Sequence, residues 1–535
     1  MTTPPAVVTP QAAAPHPAED GALPRRRPPA WLWIPAAVAL IPAVVPFAFL
    51  AARVVGAGSR AIDIAISVET LRLVFNTTAL AVAVMTLAAA IGVGAAWLTE
   101  STDLPMRRLF RVTVALPLVI PSYVLALTLL AATGPSGVLS EALGTTIPTP
   151  RGFLGALLAL TLSTYPFVYL TAAAALRRMD PAHEEAARGL GAGPGRAFRT
   201  IVLPQLRPSV AAGLLLVALY TLSDFGAVSL MRFDSFTRVI YAQYAGRLDR
   251  TPAAVLAVVL VLIALLVVWA ERATRGRAAY HGRPVSRPAR EGAISPAGKA
   301  GGVVALGLLG VIALGIPLAS LISWWGRPGR GAVGFPWDAV AGSITAATLA
   351  AVIAAALALP TAVLVTRHPS PASSWVERSS YAVFALPHIT VGLGMVFFAS
   401  RYLGSLYQSL TILVLVYASI FFAQALGPAR AALLQVSPSI EEAARSLGSG
   451  PMRVMTRITG PLVRRGLLAG AVMVFLTTMK ELPATLLLRP TGFSTLAVDI
   501  WSAADAVRYS RAAGPALLLI AVSAIPMYLL SVRRS

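Results

Sequence analysis

Ionisable side chains inside apolar stretches are the residues of this sequence whose chemistry would count most. Asp224 stands in LYTLSDFGAVSL, and the adjacent pair Lys480-Glu481 stands in FLTTMKELPATLLL. A charge in hydrocarbon is costly, so such residues face a protein interior or a wet route and are functional candidates. Carboxylates suit hard cations. Two acids are too few for a tight site, but a conduit needs only weak binding. Asp224, Lys480 and Glu481 are therefore candidate translocation-pathway residues, and no metal site is assigned. In that reading Lys480 keeps Glu481 ionised, while Asp224, which lacks a neighbouring base, attracts a passing cation. The alternative is structural: Lys480 neutralises a carboxylate and locks two parts of the chain together.

A second constellation occurs twice. Glu184-Glu185-Ala186-Ala187-Arg188-Gly189-Leu190-Gly191 matches Glu441-Glu442-Ala443-Ala444-Arg445-Ser446-Leu447-Gly448, and the same offset carries Pro194 onto Pro451 and Pro204 onto Pro461. Asp180 and Ser437 are N-cap types, each followed by a proline suited to the first helical position. The glutamates fall in the early helix, where the dipole favours negative charge. Gly191 and Gly448 suit the left-handed position that ends such a helix. Each copy thus predicts a helix–turn–helix with a small Ala-Ala face, its second short helix starting at Pro194 or Pro451. A solvated helical run would explain one copy. Two copies in matched places, each before an apolar stretch, point to a docking surface. The same offset sets Asp224 on Glu481 and Ser223 on Lys480, so the two acids are expected to face one another near a repeat axis.

Other chemistries lack their residues. There is no cysteine, so disulfides and thiolate metal sites are excluded. The five histidines (16, 183, 281, 368 and 388) show no ligand spacing. Lys299 and Lys480 are the only lysines, and neither sits in a phosphate-cradling loop. No nucleophile–base pair stands out, so no catalytic residue and no cofactor of this chain are expected.

The elements that must position these residues follow from composition. Of 535 residues, 57% are hydrophobic and 12% charged, with a mean hydropathy of +0.74. Soluble domains carry about 25% charged residues. Twelve apolar stretches approach the ~20 residues that a membrane helix needs. They lie near 31–55, 71–99, 109–132, 152–176, 209–230 and 252–270, then near 301–324, 340–366, 379–400, 406–430, 466–488 and 511–531. Prolines within them (35, 42, 46, 117, 121, 387) are tolerable where neighbours satisfy the freed carbonyls. The fold class is all-α: a polytopic membrane protein with about twelve transmembrane helices. Six spans separate the two copies of the motif, so the halves are parallel repeats about an axis along the membrane normal.

Residues 1–30 read as a disordered cytosolic tail rather than a signal peptide, because the apolar run from Trp31 is too long for one. Residues 31–270 form the first half (repeated segment 179–208), 271–300 a basic linker, and 301–535 the second half (repeated segment 436–465). With both termini in the cytoplasm, roughly two thirds of the 44 Lys and Arg residues lie on the cytoplasmic side. The net charge of +22 is explained by that bias, not by nucleic acid.

The pattern E-A-A-x-x-x-G, nine residues, then I-x-L-P resembles the signature of permeases in binding-protein-dependent ABC importers of the maltose-transporter type. Glu185, Ala186, Ala187, Gly191, Ile201, Leu203 and Pro204 fit it; the second copy has Glu442, Ala443, Ala444, Gly448, Ile458 and Pro461, with Gly460 in place of Leu. The resemblance implies that each segment is a coupling helix that inserts into an ATP-binding subunit. Two copies of that subunit would carry ATP and magnesium, and an extracytoplasmic binding protein would deliver the solute. Among fused permeases, LSDFGAVSLMRFDSFTRVIYAQY (222–244) and MKELPATLLLRPTGFSTLAVDIW (479–501) resemble the ferric-iron type, which implies an iron-binding protein as partner. Thiamine permeases are the nearest alternative, then polyamine and phosphonate importers. A secondary transporter also has twelve helices in parallel halves, but has no use for twin coupling segments.

Overall fold

The computed structural model describes residues 28–180, 182–191, 193–274, 294–327 and 335–532; nearly all of the 1–30 tail and most of the 271–300 linker lie outside them. The described residues are helical with no strand.

In the first half α1 is Ala30–Gly56, α2 Val68–Glu100, α3 Arg107–Val119, α4 Ser122–Ala132 and α5 Gly152–Leu176. Then come α6 Ala182–Gly189, α7 Phe198–Ser223, α8 Gly226–Leu230, α9 Phe236–Gly246 and α10 Thr251–Thr274. The second half has α11 Pro296–Trp325, α12 Trp337–Arg367, α13 Pro371–Ala385, α14 His388–Tyr402, α15 Leu410–Ile420 and α16 Phe422–Leu434. It closes with α17 Pro438–Ser446, α18 Pro451–Met479, α19 Pro483–Leu488, α20 Leu496–Asp505 and α21 Tyr509–Val532. Helix α11 starts before residue 301, so the end of the expected linker is already helical.

Eight of these helices are long and apolar enough to cross a membrane singly, and three bent pairs raise the number to eleven. The twelfth stretch is the shorter apolar run of α21. The departures from straight spans are specific. Helices α3 and α4 meet at 98°, and α13 and α14 at 104°. Pro121 and Pro387 start the new direction, and the residues before them, Ile120 and Leu386, are extended (ψ 120° and 146°). A residue preceding proline is driven from the helical region, and proline has no N–H to continue the ladder. Pro42 and Pro46 do remain inside α1. The fifth and eleventh stretches are also interrupted, after Ser223 and after Met479.

Packing repeats as well. Gly213 on α7 lies so close to α5 that a Cβ would come 2.9 Å from Val168 Cα; Gly470 on α18 lies equally close to α16, 2.8 Å from Ala425 Cα. The offset that relates the motifs relates both glycines and both partners. Such small residues let membrane helices touch backbone to backbone. A wide π-turn also recurs, at Phe198–Val202 and Met455–Thr459, joining the helical start at Pro194 or Pro451 to the span. The second helix of each helix–turn–helix is therefore the near end of a span, not a separate piece.

The first helix of each half packs on the other half. Helix α1 meets α14, where a Cβ on Gly394 would come 2.8 Å from Pro46 O, and Ser419 Oγ donates to Ala39 O at 2.5 Å. Helix α11 meets α4, with Trp324 Nε1 donating to Ala131 O at 2.9 Å. The exchange binds the halves into one core.

Candidate functional site

The interruptions after α7 and α18 place the intramembrane acids. Each carboxylate caps the short helix beyond its break, where the first amides have no helical acceptor. Asp224 Oδ1 accepts from Ala227 N (2.9 Å) and Val228 N (3.3 Å), while Oδ2 accepts a short bond from Ser122 Oγ. Glu481 Oε1 accepts from Ala484 N (2.8 Å), and Oε2 from Thr485 N (2.9 Å) and Thr485 Oγ1 (2.5 Å). Tyr417 Oη closes that network on Thr485 Oγ1 at 2.5 Å. Both acids are buried, at 9% and 4% exposure, so neither projects into lipid. The dipole of the short helix and the amide donors compensate a charge that burial alone would not allow.

The elbow helices supply the remaining contacts. Ser122, the first residue of α4, binds Asp224, and His388, the first residue of α14, stands with Nδ1 3.9 Å from Glu481 Oε1. Sequence reasoning passed over Ser122, His388, Tyr417 and Thr485. The available signal was the Pro-Ser and Pro-His steps at 121–122 and 387–388, one at each elbow. The breaks of the two halves adjoin: a Cβ on Gly226 would come 3.1 Å from Leu482 Cδ2. Lys480 departs from expectation. Among the described residues it makes no ion pair with Glu481; its Nζ points across the seam to Leu118 O at 3.5 Å. The helix ends at Lys480 and the chain turns there, so adjacent side chains diverge. Beyond α19 lies an open cavity of about 510 Å³, lined by Tyr244 of the first half and otherwise by the second half, Gln408, Arg489, Thr491 and Ser494 among them.

The repeated segments lie at the other ends of α5, α7, α16 and α18. Asp180 Oδ1 accepts from Ala182 N at 2.9 Å and caps α6. Ser437 is at the N-cap of α17, but its hydroxyl bonds Ser439 Oγ at 2.7 Å instead of an amide. Gly191 and Gly448 have φ of +85° and +81°, the left-handed conformation that glycine takes without strain. Ala186, Ala443 and Glu442 are exposed, Ala187 is half-buried and Ala444 buried; the side chain of Glu185 lies outside the described residues. Just before each glycine, Leu190 and Leu447 are 90% and 87% exposed. Among the described residues no three His, Asp or Glu side chains come together as a metal site.

Comparison with known proteins agrees with this two-fold plan. The family model for the inner membrane component of binding-protein-dependent transport systems matches residues 88–277 and again 353–532. The Fe(3+)-transport system permease protein FbpB 2 of Haemophilus influenzae is 31% identical over 512 residues, covering 94% of this chain and 98% of the relative. The ferric transport system permease protein FbpB of Actinobacillus pleuropneumoniae is 26% identical over 70% of this chain and 58% of its own length. A putative 2-aminoethylphosphonate transport system permease protein of Salmonella typhimurium is 25% identical over 44% of this chain and 94% of its own length. With one domain matching each structural half, the chain belongs to the family of binding-protein-dependent transport system inner membrane components, the membrane-spanning part of ABC importers, carried here as two permease domains fused in tandem.

Proposed function

We propose that this permease moves ferric iron from an extracytoplasmic binding protein into the cytoplasm, driven by ATP hydrolysis on separate subunits. The observation that carries the iron assignment is the likeness to a ferric permease through both halves and nearly the full length of each chain. Two copies of an ATP-binding subunit, holding ATP and magnesium, dock on α6 and α17. Glu185, Ala186, Ala187 and Gly191 form the first contact; Glu442, Ala443, Ala444 and Gly448 form the second, with Leu190 and Leu447 beside them. The excess of Arg on the side of these segments supports an orientation with both termini in the cytoplasm. Asp224, Lys480 and Glu481 then belong to the outer part of the route. The acids act there chiefly by holding α8 and α19, since their oxygens already accept amide hydrogens, and Lys480 bridges the seam.

Uptake by the reconstituted transporter, with its binding protein and ATPase, tests the assignment against labelled iron, thiamine and 2-aminoethylphosphonate. Iron accumulation that needs both ATP and the binding protein is expected. The half-chain likeness to a phosphonate permease makes that solute the second reading. Phosphonate or thiamine uptake without iron uptake would overturn the first.

A further inference from the structure

Glu441 is the residue just before the Glu442-Ala443-Ala444 motif, and it is not on the exposed face. Its side chain is 4% exposed and meets two other elements, α12 and α18. Arg367, the last residue of α12, approaches it with Nε 3.3 Å from Oε2 and donates from Nη2 to Oε1 at 3.4 Å. The same Nη2 donates to Val436 O at 2.8 Å, just past the end of α16. Thr459, in the π-turn that begins α18, donates from Oγ1 to Glu441 Oε1 at 3.1 Å. Arg445, one turn along α17, stands 3.7 Å from Oε2 and is largely exposed. A buried carboxylate with a buried guanidinium and a hydroxyl holds its elements in one geometry, because breaking any contact leaves a charge or donor without a partner.

Among the described residues the first half places its buried acid elsewhere; the side chain of Glu184, which shares the register of Glu441, lies outside them. That buried acid is Glu100, at the end of α2, where the second half has the base Arg367. Glu100 pairs with Arg111 (2.9 Å) and Arg177 (3.0 Å), residues on α3 and just after α5, neither of them on α6. In the register of the repeat, Val202 stands where Thr459 does; it is apolar and 3% exposed, so no hydroxyl is available.

We propose that Glu441 is a positioning residue: with Arg367 and Thr459 it makes the coupling helix α17 move as one body with α12 and α18. The second docking site thereby drives its spans through a rigid strut. The inference rests on the reading of α17 as an ATPase-docking segment, and does not depend on which solute is carried.

The test uses the full transporter with its ATP-binding subunits, reconstituted in nanodiscs. Because the chain has no cysteine, Ser446→Cys on α17 and Thr456→Cys on α18 take spin labels cleanly. Their distance distribution should stay narrow and unchanged between nucleotide-free and ATP-bound states, and should broaden in the Glu441→Gln background. Transport per ATP hydrolysed should fall about fivefold or more in Glu441→Gln, the lower end of coupling between sites, and by less in Thr459→Val. The exchange Arg367→Glu with Glu441→Arg should recover part of the ratio that either single reversal loses. Unchanged distances together with a wild-type ratio in Glu441→Gln would sink the strut. A loss of assembled complex in proportion to lost uptake, with no change in the ratio, would reduce Glu441 to a fold-stabilising residue. If the wild type carries no iron, the iron reading fails, while the spin-label distances still decide the strut.

Discussion

The two halves share their crossings and differ in their polar hardware. Gly213 and Gly470 make the same close approach at the same register, whereas Asp224 is bound by a serine and Glu481 by a threonine with a histidine nearby. At the opposite membrane surface one half buries Glu100 between two arginines and the other buries Glu441 under Arg367. Backbone-to-backbone packing tolerates one residue type only, so a fused repeat keeps it in both copies. A buried charge can be satisfied by any donor set of suitable geometry, so each half reaches its own solution. The common scaffold therefore comes from sterics, and the differences between the halves from hydrogen bonding.

The largest effect should come from the shared crossings. In Gly213→Val the new Cβ would lie 2.5 Å from Thr171 Oγ1 and 2.9 Å from Val168 Cα; in Gly470→Val it would lie 2.8 Å from Ala425 Cα. Overpacking of this kind costs ~1–3 kcal/mol or more. Both variants should lower the yield of monodisperse protein severely and to a similar degree. A mild effect in one half alone would break the comparison.

Next come the capping acids. Asp224→Ala and Glu481→Ala each strand two amide donors and a hydroxyl, at ~1–3 kcal/mol for buried groups left unmade. Thermal unfolding should show both losses, the larger in Glu481→Ala because Tyr417 joins the same network through Thr485 and His388 stands 3.9 Å from the carboxylate. The double replacement by Asn and Gln keeps an acceptor at each break and should spare both assembly and most iron uptake; a fall in uptake beyond any loss of assembly would show that the charge itself serves the route. Lys480→Met should be milder than either alanine, since its contact among the described residues is a long bond to Leu118 O. Equal damage from Lys480→Met would restore the ion-lock reading.

The left-handed glycines sharpen the comparison at the docking end. A β-branched residue at φ near +80° costs ~1–3 kcal/mol of local strain. In Gly191→Val and Gly448→Val, membrane insertion should survive while binding-protein-stimulated ATPase activity falls. The fall should be plain in Gly448→Val, where Glu441 ties α17 to its spans. An equal fall would argue that both segments transmit alike.

The smallest effect concerns the loop that receives the linker. Asp103 Oδ2 binds Lys299 Nζ at 2.6 Å and Oδ1 accepts from Ile294 N at 3.1 Å, fastening the start of α11 to the loop after α2. The Lys299 hydrogen bond, then the amide, hold the Asp103 carboxyl below its usual value of 3.8. A lowered acid contributes stability above its unfolded value and loses it as pH falls through the folded one. The group is partly exposed and water screens it. Amide exchange at 294–299 should therefore be unchanged from neutral pH down to the ordinary carboxylate range and quicken only below it. Asp103→Asn should abolish that dependence.

Much of this was legible in residue order. Apolar length located the spans, because a bilayer leaves a helix few alternatives. The doubled Glu-Glu-Ala-Ala-Arg segment gave the parallel repeat, and Gly191 and Gly448 announced their left-handed turns, since backbone sterics are local. Four features needed the tertiary structure: the right-angle elbows at Pro121 and Pro387, the crossing of α1 and α11 onto opposite halves, the divergence of Lys480 from Glu481, and the burial of Glu441 under Arg367. The last three join residues far apart in the chain, and the sequence states what a side chain can donate or accept without stating which partner stands opposite. Proline shows the limit within one residue type. Pro42 stays inside a helix and Pro121 ends one, because the outcome depends on whether neighbouring groups satisfy the carbonyl it frees.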